Sequence, residues 1–320
     1  MRRLIIVLIF LISLLKVQPA AANLVINGGF ETGNFTHWYH ENMWFNVSQE
    51  YPHGGKWSAL FNGWGKCVLS QAVNTLPGKY YEVSFWMAGG PFYGNNFKVY
   101  WDGGVIYNIN DFWGSHYQKI SAIRLAKAFT GEIKFVCGTG DNPADLNLDD
   151  IEVNLVDNLL TNSSFETGDF TGWTHEAHIT DLAVCNYQHH DGSWSVYMCG
   201  TRSKGQCKIS QTFATIPGQS YQVSFWREGG AENGKNYLWA YWNGTQIPSI
   251  SVDPSDWNAV WYFSEVSSTQ VATGTSTTLE FIYDPGNSGI AGYLDTVLVI
   301  VPRSTVTRPK HVPPVMLLLE

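Results

Sequence analysis

The chain is patterned as short runs in which apolar and polar residues alternate, rich in Val, Ile, Tyr, Phe and Trp. Clear examples are YYEVSFWM, NFKVYW, GEIKFVC and LDDIEVNLV, and clusters of Gly, Pro, Asn and Asp separate such runs. Alternation with a period of two is the pattern of strands that bury one face. The one helical candidate, IRLAKAF, is short and lacks capping residues. The pattern therefore predicts an all-β protein with a β-sandwich fold.

The whole pattern occurs twice. NGGFETGNFTHWYHE begins at Asn27, and NSSFETGDFTGWTHE begins 135 residues later at Asn162. Further along, SQAVNTLPGKYYEVSFWMAGG matches SQTFATIPGQSYQVSFWREGG at an offset of 140, and LDD matches LDT at 146. A growing offset indicates loops that drifted apart between matching segments. We predict two tandem domains, residues 23–157 and 158–302, with a seam too short for a flexible linker and a flexible tail at 303–320.

The first 22 residues have a different character. Arg2 and Arg3 precede an apolar run from Leu4 to Leu15, and residues 20–22 are all alanine. This is the pattern of a secretory signal peptide, with cleavage before Asn23. The apolar run is shorter than the roughly 20 residues that cross a bilayer. We therefore expect a secreted protein, extracellular or in a cell wall, without a membrane span.

Composition narrows the choice of partner. A formal net charge of −8 with only 14% charged residues argues against a nucleic acid, which would call for a basic patch. Aromatic residues make up 15% of the chain, including 14 Trp, so some of these rings are expected to face outward. Four glycosylation sequons, which would make a glycoprotein in a host that glycosylates, occur at Asn34, Asn46, Asn162 and Asn243.

Five cysteines in an exported chain suggest pairing, and the odd number leaves at least one unpaired within the monomer. In the second copy Cys199 can pair with Cys185 or with Cys207, and the sequence does not choose between them. No pair has metal-site spacing such as C-x-x-C.

Three motifs in fixed order carry a family resemblance. Each copy opens with N-L-x-x-N-x-x-F-E-x-G-x-F-x-x-W, continues with S-Q-x-x-x-x-x-P-G-x-x-Y-x-V-S-F-W, and ends in a strand that begins L-D. Both copies thereby resemble the jelly-roll carbohydrate-binding modules of the four/nine/twenty-two group, which are galactose-binding-like domains attached to cellulases and xylanases. The tandem arrangement is also similar to secreted plant cell-wall proteins with two such domains. The resemblance covers nearly all of residues 23–302 and implies two jelly rolls that bind polysaccharide.

Two acids are matched between the copies. Asp149 lies in the last strand of the first copy, where alternation places it on the apolar face with Val153, and Asp295 is its counterpart. Glu31 and Glu166 are the second matched pair. Carboxylates brought together repel unless a cation lies between them, and calcium accepts such ligands. The resemblance points the same way, because modules of this group commonly carry a structural calcium between the first and last strands. The alternative is that both acids accept backbone N–H groups.

A sugar site needs flat apolar faces and a few polar groups. Trp38 and Trp173 suit a bracing role, whereas Trp101 and Trp242 are in phase with core positions. Candidates for contact with sugar, chosen by outward phase or loop position, are Trp64, Trp86, Tyr93, Tyr100, Trp113, Trp226, Trp239 and Tyr241. Trp64 is the leading candidate, since it lies in the glycine-flanked segment FNGWGKC where the resembling modules often place a stacking tryptophan. The second copy has TRSKG there, so the two copies are expected to differ in ligand.

No catalytic arrangement is apparent. The segment HEAH at residues 175–178 lacks the HExxH spacing and the helix of a zinc protease. The adjacent Asp149 and Asp150 would point to opposite faces of a strand and cannot form a glycosidase pair. We therefore predict a secreted, non-catalytic glycan-binding protein. Two alternatives stay open: a structural or adhesive wall protein that binds another protein, and a polysaccharide-active enzyme with an unrecognised site.

Overall fold

The structure is a computed structural model, and it describes residues 23–41, 45–63, 66–137, 144–177, 182–198, 206–229, 237–250, 260–285 and 291–302. The proposed signal peptide (1–22), the tail (303–320), Trp64 and Cys199 lie outside the described residues. So do the side chains of Tyr93 and Trp113. In the described ranges no helix is long and apolar enough to cross a membrane.

The described residues form antiparallel strands, and the predicted all-β fold is confirmed. The strands of the first copy are β1 (Tyr39–Glu41), β2 (Phe45–Ser48), β3 (Ser58–Gly63), β4 (Cys67–Asn74), β5 (Tyr80–Trp101), β6 (Gly104–Leu125), β7 (Thr130–Cys137) and β8 (Ala144–Val156). Those of the second copy are β9 (Thr174–Ala177), β10 (Leu182–Cys185), β11 (Ser195–Met198), β12 (Cys207–Ala214), β13 (Ser220–Gly229), β14 (Tyr237–Trp242), β15 (Thr245–Gln246), β16 (Val260–Val271), β17 (Ser276–Asp284) and β18 (Gly292–Ile300). Among the described residues, every hydrogen-bonded pair of strands joins strands of the same copy.

Each copy has two sheet layers. In the second copy they are separate five-stranded sheets, ordered β10-β11-β18-β13-β16 and β15-β14-β17-β12-β9. In the first copy the long strand β5 links the layers in the order β1-β4-β7-β5-β8-β3-β2, with β6 also on β5. The first half of β5 pairs with β8, and its last residues, Phe97–Trp101, pair with β7. We call the layer with β4 and β7, or with β12 and β17, the groove sheet, and the other layer the acid sheet.

The repeated opening phrase braces the core of each module. Phe30 and Phe165 are fully buried at positive φ angles of 55° and 60°. Trp38 packs against Phe30, and its indole N–H donates to the carbonyl of Asn27 at 3.0 Å. Trp173 makes the same bond in the second copy at 3.1 Å. The phrase therefore recurs because it closes one end of each sandwich, as expected for Trp38 and Trp173.

The two modules contact each other through a small apolar cluster. Leu298 and Ile300 of β18 pack with Tyr80, Leu125 and Val156 of the first module. One carboxylate oxygen of Asp191 also accepts the N–H of Leu125 at 2.9 Å, where β6 ends. The helical candidate IRLAKAF therefore begins as strand β6 and continues into this contact.

Two of the second module's cysteines lie in the described residues. Cys185 is a free thiol, so it does not pair with Cys199. Cys207 is disulfide-bonded.

Candidate functional site

Glu31 anchors the loop between β2 and β3. Its carboxylate accepts the N–H of Lys56 at 2.9 Å and the N–H of Trp57 at 3.0 Å. The intervening Gly55 has a φ of +62°, and a Cβ there would overlap the Glu31 carboxylate. Glycine is therefore required at this close approach by both space and backbone conformation.

Asp149 anchors the same loop from the last strand. One of its oxygens accepts the N–H of His53 at 2.8 Å and that of Gly54 at 3.0 Å, while the other accepts the N–H of Asp150 at 2.7 Å. The Asp149 side chain has no solvent exposure. The loop between β2 and β3 is thus held by two carboxylates. Glu31 lies before β1, and Asp149 lies in β8, the last strand of the module.

The second copy repeats this arrangement. Glu166 accepts two consecutive N–H groups of the loop before β11, and Asp295 accepts two others and the N–H of Thr296. The matching glycine, Gly192, has a φ of +71° and approaches Glu166 as Gly55 approaches Glu31. The pairing of Glu31 with Asp149 and of Glu166 with Asp295 therefore reflects one shared device.

The expected orientation of both aspartates is wrong. Asp149 is paired directly with Trp86 of β5, and the register shifts between Ser84 and Trp86. Asp150 absorbs the extra residue at a φ of +45°, as in a β-bulge. Residues that face each other in a ladder share a side of the sheet, so Asp149 points outward with Trp86, away from Val153. Asp295 does the same opposite Trp226, with Thr296 at +49°.

The carboxylates accept backbone N–H groups, as in the alternative to calcium. Burial raises the pKa of Asp149 to about 7 and that of Asp295 to about 8, partly offset by these hydrogen bonds. The loop N–H groups donate to the same carboxylate oxygens that a calcium ion would need as ligands. In the described part of the chain, no cluster of three metal-binding side chains occurs. The described residues do not fit calcium in this arrangement. Calcium stays an untested prediction that would require loop carbonyl groups to turn toward the acids.

Trp86 and Trp226 lie beside these loops on the acid sheets. The His53 ring stacks on Trp86 with centroids 3.9 Å apart, and His190 stacks on Trp226 at 3.5 Å. Burial, followed by the nearby cations of the first module, lowers the pKa of His190 to about 3, so its ring is neutral. Arg124 also lies over Trp226, 5.4 Å from the ring centroid. Both tryptophans are half-buried, as their phase predicts, but protein groups contact their rings.

A groove of ≈ 730 Å³ crosses the outer face of the first module's groove sheet. It is lined by the aromatic rings of Tyr39 and Tyr100, by charged side chains of β1 and β7, and by Lys66, which directly precedes β4. Tyr39 is 58% exposed, and its hydroxyl donates to Glu41 at 2.7 Å. Lys134 forms an ion pair with Glu132 at 2.9 Å on the groove floor. This surface combines exposed ring faces with ordered polar groups.

The second module carries more aromatic surface on the matching face. Tyr237 and Trp239 stack with centroids 5.1 Å apart, and Tyr241 follows on the same side of β14. All three are half-buried, whereas Leu238 and Ala240 between them face the core. Beside them Lys208 pairs with Glu280 at 2.7 Å.

The predicted aromatic candidates therefore divide between two faces. Tyr100, Trp239 and Tyr241 lie on the groove sheets, while Trp86 and Trp226 lie on the acid sheets. Trp101 and Trp242 are buried as predicted, at 3% and 5% exposure. The backbone of Tyr93 and Trp113 belongs to β5 and β6. Trp64 lies outside the described residues, although Lys66 two residues later lines the groove.

Sequence reasoning missed several groove residues. Tyr39 follows the bracing Trp38 directly and therefore points the other way, which strand alternation would have predicted. Glu132 and Lys134 occupy the polar positions of GEIKFVC. Charged residues at such positions usually mark the solvent-facing side of a strand, so the sequence does not distinguish them from ordinary surface residues. Tyr237 of the second module is in phase with Trp239 and Tyr241, so the alternation that selects those two residues also selects Tyr237.

The chain matches no protein-family model and no curated protein. Solved structures give matches. One is the family 61 carbohydrate-binding module TmCBM61 in complex with β-1,4-galactotriose, 21% identical, which spans 46% of this chain and 99% of that one with a TM-score of 0.37. Another is the tandem of family 22 modules at the N-terminus of Paenibacillus barcinonensis Xyn10C, 15% identical over 89% of this chain and 99% of that one, with a TM-score of 0.34.

A family 16 carbohydrate-binding module is 14% identical over 45% of this chain and 99% of its own, with a TM-score of 0.34. At these TM-scores the likeness does not bear on the ligand of this chain, and the fold rests on its own strand pairing. The solved structures that this chain is similar to thus include single carbohydrate-binding modules and a tandem of family 22 modules.

Proposed function

We propose that this protein is a secreted, non-catalytic glycan-binding protein whose two modules each bind polysaccharide on the outer face of the groove sheet. The observation that carries the proposal is the open groove of ≈ 730 Å³ in the first module, with Tyr39 and Tyr100 among charged and hydroxyl groups. Aromatic faces pack on the C–H surfaces of a sugar ring, while carboxylates and ammonium groups bind its hydroxyls.

The two modules are proposed to bind different glycans. The first groove holds Lys66, Lys134, Glu41 and Glu132, so it favours a ligand with many hydrogen-bonding groups. The second module presents the stacked Tyr237–Trp239 pair and Tyr241, which favours a flatter chain with exposed ring faces. An open groove on a sheet also suits the interior of a polysaccharide better than a chain end.

The acid sheets are a poorer place for the ligand. Trp86 is already in contact with His53, and Trp226 is in contact with both His190 and Arg124. A sugar that stacked on Trp226 would have to displace the cation of the neighbouring module. We therefore assign these two tryptophans to packing and reserve glycan binding for the groove sheets.

A glycan array followed by titration of the full chain tests this function. Retention on a polysaccharide, with competition by the soluble oligosaccharide and no release of reducing ends, is the expected result. Retention that soluble sugar does not compete would favour a protein partner in the wall. Turnover of the bound polysaccharide would overturn the non-catalytic assignment.

A further inference from the structure

Cys67 and Cys137 lie directly opposite each other where strands β4 and β7 pair. Their side chains face the core of the first module, with exposures of 3% and 1%. The two thiols hydrogen-bond to each other, and no disulfide joins them. Opposed residues of an antiparallel pair have Cα atoms about 4.5–5.5 Å apart, which falls within the span of a disulfide.

In the second module the cysteine that matches Cys67 is oxidised. Cys207 occupies on β12 the place of Cys67 on β4, 140 residues earlier. Its opposed residue on β17 is Tyr283, so a cross-strand bond is not possible there. Cys207 is nevertheless disulfide-bonded. A cysteine at the start of β12 therefore forms a disulfide in the second module. In the first module the matched cysteine, Cys67, has a second thiol, that of Cys137, directly opposite it.

We propose that Cys67 and Cys137 are a redox-active pair that forms a cross-strand disulfide in an oxidising compartment. With a small disulfide such as oxidised glutathione as the oxidant, the Cys67 thiolate attacks one of its sulfurs and releases one glutathione thiolate. The Cys137 thiolate then attacks the Cys67 sulfur of the mixed disulfide and releases the second glutathione. Two protein thiols lose two protons and two electrons, and the oxidant is reduced to two thiols.

The order of attack follows from the surroundings of the two sulfurs. The hydrogen bond from Cys137 lowers the pKa of the Cys67 thiol, whereas burial raises the pKa of Cys137 well above its usual value. Because both are buried in the folded module, the oxidant reaches them while the chain folds or opens locally.

The bond would fix one end of the groove. Lys66 and Val136 directly precede the two cysteines, and both line the groove. Cys67 and Cys137 also border segments 64–65 and 138–143, the first of which contains Trp64. Oxidation would therefore join the two strands from which the end of the groove is built.

Refolding the full chain with and without a glutathione redox buffer tests the proposal. After denaturation and alkylation, intact mass should show three labelled thiols when the pair is reduced and one, Cys185, when it is oxidised. Peptide mapping should give a linked pair that contains Cys67 and Cys137. Three labelled thiols after oxidative refolding, or Cys67 joined to another cysteine, would overturn the proposal.

A variant separates this bond from the disulfide of the second module. The wild-type chain should gain a rise in Tm on the order of 10 °C on oxidative refolding, since the bond closes a long loop. Cys67→Ala/Cys137→Ala, which keeps Cys207, should lack this gain. An equal redox response in both proteins would contradict the proposal, even if the double variant is less stable in all conditions.

Discussion

The guanidinium carbon of Arg124 lies 5.4 Å from the centroid of the Trp226 ring. The first residue is the penultimate residue of β6 in one module, and the second lies on the acid sheet of the other. Asp191 accepts the N–H of Leu125 next to this contact. The modules are thus joined by apolar packing, a cation–π contact and a buried hydrogen bond, and Trp226 serves this junction.

Arg124→Ala should weaken the contact between the modules. A partly desolvated cation over a tryptophan contributes about 1–2 kcal/mol, so urea unfolding should show a loss of that size. Unfolding followed by tryptophan fluorescence gives the measurement. Lys56→Ala, which removes an exposed cation elsewhere in the first module, is the matched control. Equal unfolding midpoints for the two variants would contradict this role.

Asp149→Ala should destabilise the first module. It removes the acceptor of three partly buried backbone N–H groups, including those of His53 and Gly54, and leaves them without this acceptor. The expected cost is about 3 kcal/mol. Chemical denaturation checks it, with the exposed Asp157→Ala as control. If both substitutions cost the same, the loop does not depend on Asp149.

Chelation tests the calcium prediction against the hydrogen-bonded arrangement. Because Glu31 and Asp149 accept backbone N–H groups, we expect Tm to change by less than about 2 °C on treatment with EDTA and on return of calcium. A larger rise with calcium that Asp149→Asn abolishes would show that an ion replaces these N–H contacts.

Strand alternation predicted the placement of the large aromatic residues well. Trp101 and Trp242 are buried, and Tyr100 and Trp239 are not, because each stands in regular phase with its neighbours. The orientation of Asp149 failed because a bulge shifts the phase by one residue, and no local sequence signal marks the positive φ of Asp150.

The contact between the modules has a signal in the sequence. The last strand of the first copy reads DDIEVNL from Asp149, with alternating polar residues, whereas the matching segment of the second reads DTVLVIV from Asp295. A strand apolar on both faces is buried on both faces. Leu298 and Ile300 stand where the first copy has Glu152 and Asn154, and they form the junction. The surface of the first module that Leu298 and Ile300 contact depends on how the two modules pack together. The periodicity of a strand contains no information about that packing.

Trp64 stays the leading loop candidate for a sugar-stacking residue. It precedes Lys66, which lines the groove, by two residues in the sequence. Trp64→Ala should weaken glycan binding by the first module by more than tenfold, about 2 kcal/mol, without lowering Tm. Titration and melting of the same samples check this. Unchanged affinity would remove Trp64 from the site, and a lowered Tm would assign it to packing.

Glycan titration of groove variants tests the central claim most directly. The full chain would be compared with Tyr100→Ala, Trp239→Ala and the double variant, using the polysaccharide identified on the array. The exposed Phe129→Ala and Tyr262→Ala, one in each module, are the controls. We predict that each groove substitution raises the Kd of its own module more than tenfold at unchanged Tm, and that the double variant no longer binds. Wild-type affinity in a folded double variant would contradict glycan binding on the groove sheets.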